Sequence, residues 1–276
     1  MARIEKGYAR IGEGQLHLRM RRGESEQTPI VLLHASPASS ASLAGLMEAW
    51  RGDETLYAFD TPCNGQSCPP AAEAPEIADF ADMLDRGCDD LDLGEIALYG
   101  THTGAHIAIA WALARPDRVR ALVLDGVALL SDAERADMLA NYAAPRRPDE
   151  IGSQFHWAWQ YIRDQMIFFP HYRKDAAHMR AGGSFDPELL HQFTLDILSN
   201  LDSYHLPYHA VFRHEVRADL ARLDLPTLLI GEECGPMAEG YAELCQLVPD
   251  ARRASPGHGP AAKAQAIAQF LQGVSR

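Results

Sequence analysis

The sequence is short of basic residues, of cysteine and of long apolar runs, and each shortage removes a class of function. Lys and Arg number 25 against 38 Asp and Glu, a formal net charge of −13. Such a surface repels phosphate backbones and anionic headgroups, so neither nucleic acid nor membrane is expected as a partner. The five cysteines, at 63, 68, 88, 234 and 245, are odd in number and form no C-x-x-C pair. A disulfide framework is therefore not expected, and reduced thiols in a cytoplasmic setting are. No apolar stretch approaches the roughly 20 residues that a bilayer span requires. The first residues, MARIEKGYARIGEGQ, have no apolar core, so no signal peptide is expected. Internal repeats and low-complexity linkers are also missing. What remains is an ordinary globular composition, 47% hydrophobic and 23% charged, over 276 residues.

The apolar pattern alternates between short runs and helical periodicity. Strands are predicted at 7–11, 15–20, 29–33, 55–59, 95–99, 120–124, 227–230 and 252–254. Helices are predicted at 40–50, 76–90, 105–114, 238–247 and 261–271. Buried β-branched runs such as Ile30-Val-Leu-Leu33 suit a parallel sheet covered on both faces. Between 131 and 224 the alternation stops, and only helix-like patterns crowded with aromatics appear. An insert of roughly 90 residues far exceeds an ordinary connection and reads as a lid over a substrate site.

The strongest local signal is Gly100-Thr101-His102-Thr103-Gly104, which follows a predicted strand and opens a predicted helix. That context is the one required by a G-x-S-x-G nucleophile elbow. Its flanking glycines let the strand turn sharply and lift the central side chain above the sheet edge. Histidine stands where serine would be. His34-Ala-Ser-Pro37 follows a buried strand, Asp60-Thr-Pro-Cys-Asn-Gly-Gln-Ser67 follows the next, and Pro256-Gly-His258 follows the last short strand.

These four segments, in this order, resemble the α/β-hydrolase superfamily, in the branch with a helical cap after the sixth strand. The resemblance implies an α/β class chain with a mostly parallel eight-stranded sheet. It implies a core in two parts, 1–130 and 225–276, around a cap at 131–224. It places His34-Ala-Ser-Pro37 where these proteins often read H-G-x-P, with the backbone N–H groups of Ser36 and Thr103 as oxyanion donors and His34 pointing into the same substrate cleft as His102 and His258. It places His258 in the catalytic histidine loop. The usual acid position reads Gly231-Glu-Glu-Cys234, with cysteine where Asp is expected. Asp125, which ends the sixth strand in Leu122-Val-Leu-Asp-Gly126, is preferred to Glu233 as the acid that orients His258. Capping of the strand-to-insert turn is the bland alternative for Asp125.

A histidine cannot form the acyl-serine ester, but it can act as base, acid or donor near neutral pH. Four readings follow. His102 and His258 can form an acid–base pair for ester, lactone or C–C hydrolysis, or for lysis or decarboxylation. His102 can be a nucleophile through an acyl-imidazole. His34, His102 and His258 can converge on zinc, although their spacing is no local metal motif. Or the fold can be a silent binder of a small ligand. The first is favoured, with a small-molecule substrate, no cofactor and no metal; a homodimer stays open.

Within the insert, Trp159 and Arg163 are four residues apart and His156 seven from Arg163, so the three share one helix face. If turned inward, that face would offer an aromatic pocket with a cation for a carboxylate-bearing or aromatic substrate. The alternative is a solvated Arg163 paired with Asp164. His106, one turn past the elbow, reads as helix packing.

Overall fold

A computed structural model describes residues 3–12, 14–24, 27–180, 186–231, 238–257 and 259–274. Its centre is an eight-stranded sheet in the order β1-β2-β4-β3-β5-β6-β7-β8. The strands are β1 (Ile4–Ile11), β2 (Gly14–Arg21), β3 (Ile30–Leu33), β4 (Leu56–Phe59), β5 (Ile96–Thr101), β6 (Val119–Asp125), β7 (Thr227–Ile230) and β8 (Arg252–Ala254). β2 runs antiparallel to both β1 and β4, and every other pairing is parallel.

Successive strand residues feed opposite layers, as the two-residue period of a strand requires. Ile30, Leu32, Tyr99, Val123 and Leu228 face one layer, with Met47 and Trp50 beneath them. That layer is closed by α1 (Ala44–Ala49) and α10 (Pro260–Gln272). Val31, Leu33, Leu98, Leu122 and Leu229 face the other layer. It carries α2 (Ile77–Asp90), α3 (Thr103–Ala114) and α9 (Ala238–Leu247). The helix expected over 40–50 divides into a 3-10 turn, Ser40–Leu43, and α1. The first predicted strand extends back to Ile4, where it pairs with Arg21.

Between β6 and β7 stand α4 (Asp132–Asn141), α5 (Ser153–Ile167), α6 (Pro187–Ser199), α7 (His205–Arg213) and α8 (Val216–Leu220). α4 starts on a capping box in which Ser131 and Glu134 satisfy each other's orphan N–H. α6 starts on Asp186, whose carboxylate accepts from the N–H groups of Glu188 and Leu189. α7 lies against α2 and α3, and α8 against α3. The insertion meets loops at the carboxyl ends of β3 and β4. Ser39 Oγ donates to Asp196 at 3.1 Å, Asn200 Nδ2 to the Gly65 carbonyl at 3.0 Å, and the Tyr208 hydroxyl to the Ser36 carbonyl at 2.8 Å. Among the described residues no helix is long and apolar enough to cross a membrane.

Candidate active site

The sharp turn between β5 and α3 exists because two glycines let three backbones meet. A β-carbon at Gly100 would stand 2.3 Å from the Gly104 carbonyl oxygen, and one at Gly104 would stand 2.4 Å from that of Leu33. His102 sits between them at φ 48°, ψ −110°, a left-handed conformation that costs a non-glycine residue roughly 1–3 kcal/mol. Its N–H donates to the Asp125 carbonyl at 3.0 Å, which ties the elbow to the end of β6. The residue is exposed. Yet protein encloses it densely enough for burial to be the leading influence on its ionisation.

That burial lowers the His102 pKa from its ordinary value; Asp125 pulls it up, Arg180 and Lys263 push it down, and a bond to the Gly126 backbone raises it. At neutral pH the ring is therefore uncharged.

Ser36 and Thr103 are brought together. Ser36 N–H points at Thr103 Oγ1 at 3.4 Å, and Thr103 is the first residue of α3, where N–H groups lack intrahelical acceptors. Ser36 is held elsewhere by Asn64 Nδ2, which donates to its hydroxyl at 3.3 Å, and by Tyr208.

His34 requires a correction, because it does not face the cleft. It is wholly buried, its Nε2 accepts from the Thr61 N–H at 3.0 Å, and its Nδ1–H donates to the Ala35 carbonyl at 3.0 Å. Both nitrogens are committed, so it can be neither a substrate contact nor a zinc ligand in this arrangement. Its work is to hold the peptide that carries the Ser36 N–H.

The face of α5 that holds Trp159 and Arg163 also turns away. The helix buries Ala158, Tyr161, Ile162 and Asp164 instead. Trp159 is 39% exposed, and Arg163 reaches Gln160 at 3.1 Å and Asp164 at 3.4 Å. Packing of α5 on α6 selects the inward face, which helical spacing alone does not specify.

Asp125 accepts two bonds on one oxygen, from the Tyr99 hydroxyl at 2.7 Å and from Lys263 Nζ at 2.6 Å. Its other oxygen meets no donor among the described residues. His258, Glu232, Glu233 and Cys234 lie outside the described residues.

Three contributors escaped sequence reasoning: Gly126, Lys263 and Arg180. Arg180 follows a 3-10 turn, Ala176–His178, and so carries no periodic signal. Its guanidinium lies 5.2 Å from the Phe169 ring centroid, and Nε donates to the Phe168 carbonyl at 3.4 Å. Its charge acts on both His102 and Tyr142. No carboxylate pairs with it among the described residues. Tyr142 is the hub of an aromatic group with Phe169, His171, Tyr208 and Phe212, at centroid distances of 4.8–6.4 Å.

Behind the elbow, His106 does more than pack. Its Nδ1 lies 3.0 Å from Nδ1 of His214, whose Nε2 lies 3.0 Å from Asp219. If the carboxylate takes the His214 Nε2–H, His214 Nδ1 must accept from His106. A cavity of about 390 Å³ lies at the other end of the sheet beside Ala97, Arg120 and Ala121. A smaller one of about 100 Å³ is bordered by Arg135, His214 and Arg217. Neither touches the elbow, where the chemistry-bearing groups converge.

The family model for the alpha/beta hydrolase fold matches residues 28–259. The chain belongs to that family. A haloalkane dehalogenase from Agrobacterium fabrum is 35% identical over 94 residues, 34% of this chain and 31% of the relative. The 2-hydroxy-6-oxononadienedioate/2-hydroxy-6-oxononatrienedioate hydrolase 2 of Pseudomonas putida is 34% identical over 129 residues, 43% of this chain and 44% of the relative. The stretch matched in these two curated relatives is thus less than half of their length. Among solved structures, epoxide hydrolase A from Mycobacterium thermoresistibile superposes with a TM-score of 0.72 at 17% identity, covering 99% of each chain. The elbow and the Ser36 loop stand at the carboxyl ends of adjacent parallel strands, β5 and β3.

Proposed function

We propose that the protein is a cofactor-free hydrolase of a small organic anion, in which His102 acts as general base. The helical insertion 131–224 serves as its cap. The observation that carries this reading is the state of His102: set on a strained elbow, exposed, with its pKa lowered, beside the point where the Ser36 N–H meets Thr103 Oγ1.

A ring nitrogen of His102 takes a proton from water as the hydroxyl oxygen bonds to the substrate carbonyl carbon. The carbonyl π electrons move to oxygen, and the N–H groups of Ser36 and Thr103 receive that charge. Collapse breaks the bond to the leaving oxygen or carbon, which takes the proton back from His102 or from His258 as partner acid. Asp125 balances Lys263 beside the ring and keeps its place as the acid that orients His258. A substrate carboxylate pairs with Arg180, whose aromatic neighbours line the approach. The Pseudomonas putida relative is named for a dioate, which agrees with an anionic substrate. C–C or C–X lysis on the same residues is the second reading, favoured by the absence of a serine at the elbow.

The test compares wild type, His102→Ala and His102→Ser on 4-nitrophenyl esters, enol lactones, carboxylated β-diketones and β-keto acids. Turnover by wild type that vanishes in His102→Ala is the expected result. A silent wild type with esterase activity appearing in His102→Ser would overturn the reading and leave a ligand-binding scaffold.

A further inference from the structure

Ser36 is gripped from two directions. From the core, His34 Nδ1–H donates to the Ala35 carbonyl, the other end of the peptide that bears the Ser36 N–H. From the insertion, the Tyr208 hydroxyl donates to the Ser36 carbonyl at 2.8 Å, across 172 residues of sequence. Tyr208 is 6% exposed, stacked on Phe212 at 6.2 Å and tilted against Tyr142 at 5.1 Å, so its hydroxyl has little freedom of aim. Burial pushes its ionisation far up, which keeps the hydroxyl a donor throughout the working pH range. α7, which carries it, rests on α2 and α3.

We propose that Tyr208 is a positioning residue for the oxyanion loop: by holding the Ser36 carbonyl from α7, it keeps the Ser36 N–H aimed at the elbow, so that the donor pair is complete only while the insertion is seated. The inference rests on the proposed role of Ser36 in the reaction. It adds that the insertion assembles the chemistry as well as covering it. Preorganised donors act because they need no reorientation as charge develops, so a loosened Ser36 lowers the rate without altering ground-state binding.

The test is Tyr208→Phe in the full chain, which keeps the ring and its packing and removes only the hydroxyl. Two quantities are read: hydrogen exchange at the Ser36 amide, and kcat and KM with 4-nitrophenyl acetate. Phe212→Leu, which disturbs the stack and leaves the hydroxyl in place, is the packing control. The expected result is Ser36 exchange faster by roughly tenfold and kcat lower by about tenfold, with KM little changed. Phe212→Leu should move both far less. Unchanged exchange at Ser36 overturns the proposal and leaves the proposed function standing. Faster exchange with an unchanged kcat also overturns it, and shows instead that Ser36 takes no part in the reaction.

Discussion

The His102 imidazole lies directly over Gly126. A β-carbon placed there would stand 2.8 Å from Cε1, 3.1 Å from Nδ1 and 3.4 Å from Nε2. Gly126 also has φ +76°, which suits glycine and strains any other residue. Gly126→Ala should therefore push the ring off its position and cost about 1 kcal/mol in backbone strain. Activity should fall at least tenfold while the melting temperature drops by only a few degrees. Parallel kinetics and thermal melts check this. Equal losses in both would mean that Gly126 matters only for folding.

Arg180 depresses the His102 pKa, and its removal must raise it. A base works above its folded pKa and fails below it. The acid limb of the rate profile should therefore move to higher pH in Arg180→Met. The same variant should raise KM for carboxylated substrates by roughly 10–100-fold and spare neutral esters, since a charge-assisted pair is lost. A KM that rises equally for both substrate types would remove Arg180 from substrate recognition.

Lys263 also lowers the His102 pKa, and it neutralises Asp125, which raises it. Lys263→Met removes the first influence and leaves the second unopposed, so both effects move the acid limb upward. It also leaves a buried carboxylate with Tyr99 as its one described partner, at a cost of about 1–3 kcal/mol. The rate profile and urea unfolding report the two effects separately.

Acid should loosen the braces behind the elbow. Burial, with the nearby His214 and His102, lowers the His106 pKa from 6.5 to about 3. As pH falls through 6.5 the unfolded chain takes up a proton that the folded chain refuses until about pH 3. Stability from this group is thus whole above 6.5 and lost on the way down, about 2 kcal/mol of it by pH 5. Urea titrations from pH 8 to 5 should show the decline, and His106→Leu should flatten it. An identical slope in the variant would assign the acid sensitivity to other groups.

Much of the candidate site was legible because its parts are local in sequence. The elbow announces itself by two glycines that flank three residues at a strand-to-helix junction, and Ser36 by its place after a buried run. Trp159 and Arg163 were correctly joined on one face, but periodicity cannot say which face of α5 meets a neighbour. His34 was read as a cleft residue because its loop adjoins the cleft. Its two nitrogens were already taken by Thr61 and Ala35, bonds that only a folded loop can make.

The sequence by itself determined where the strands lie along the chain, the helical character of the insertion and the histidine on the elbow. These follow from hydrophobic period and from where glycine is required, both of which act over a few residues. Tertiary structure alone decided the electrical setting of that histidine. Lys263 meets Asp125 across 138 residues, and Arg180 arrives from the insertion. Coulomb forces depend on distance in space and on how much water is displaced, and folding sets both.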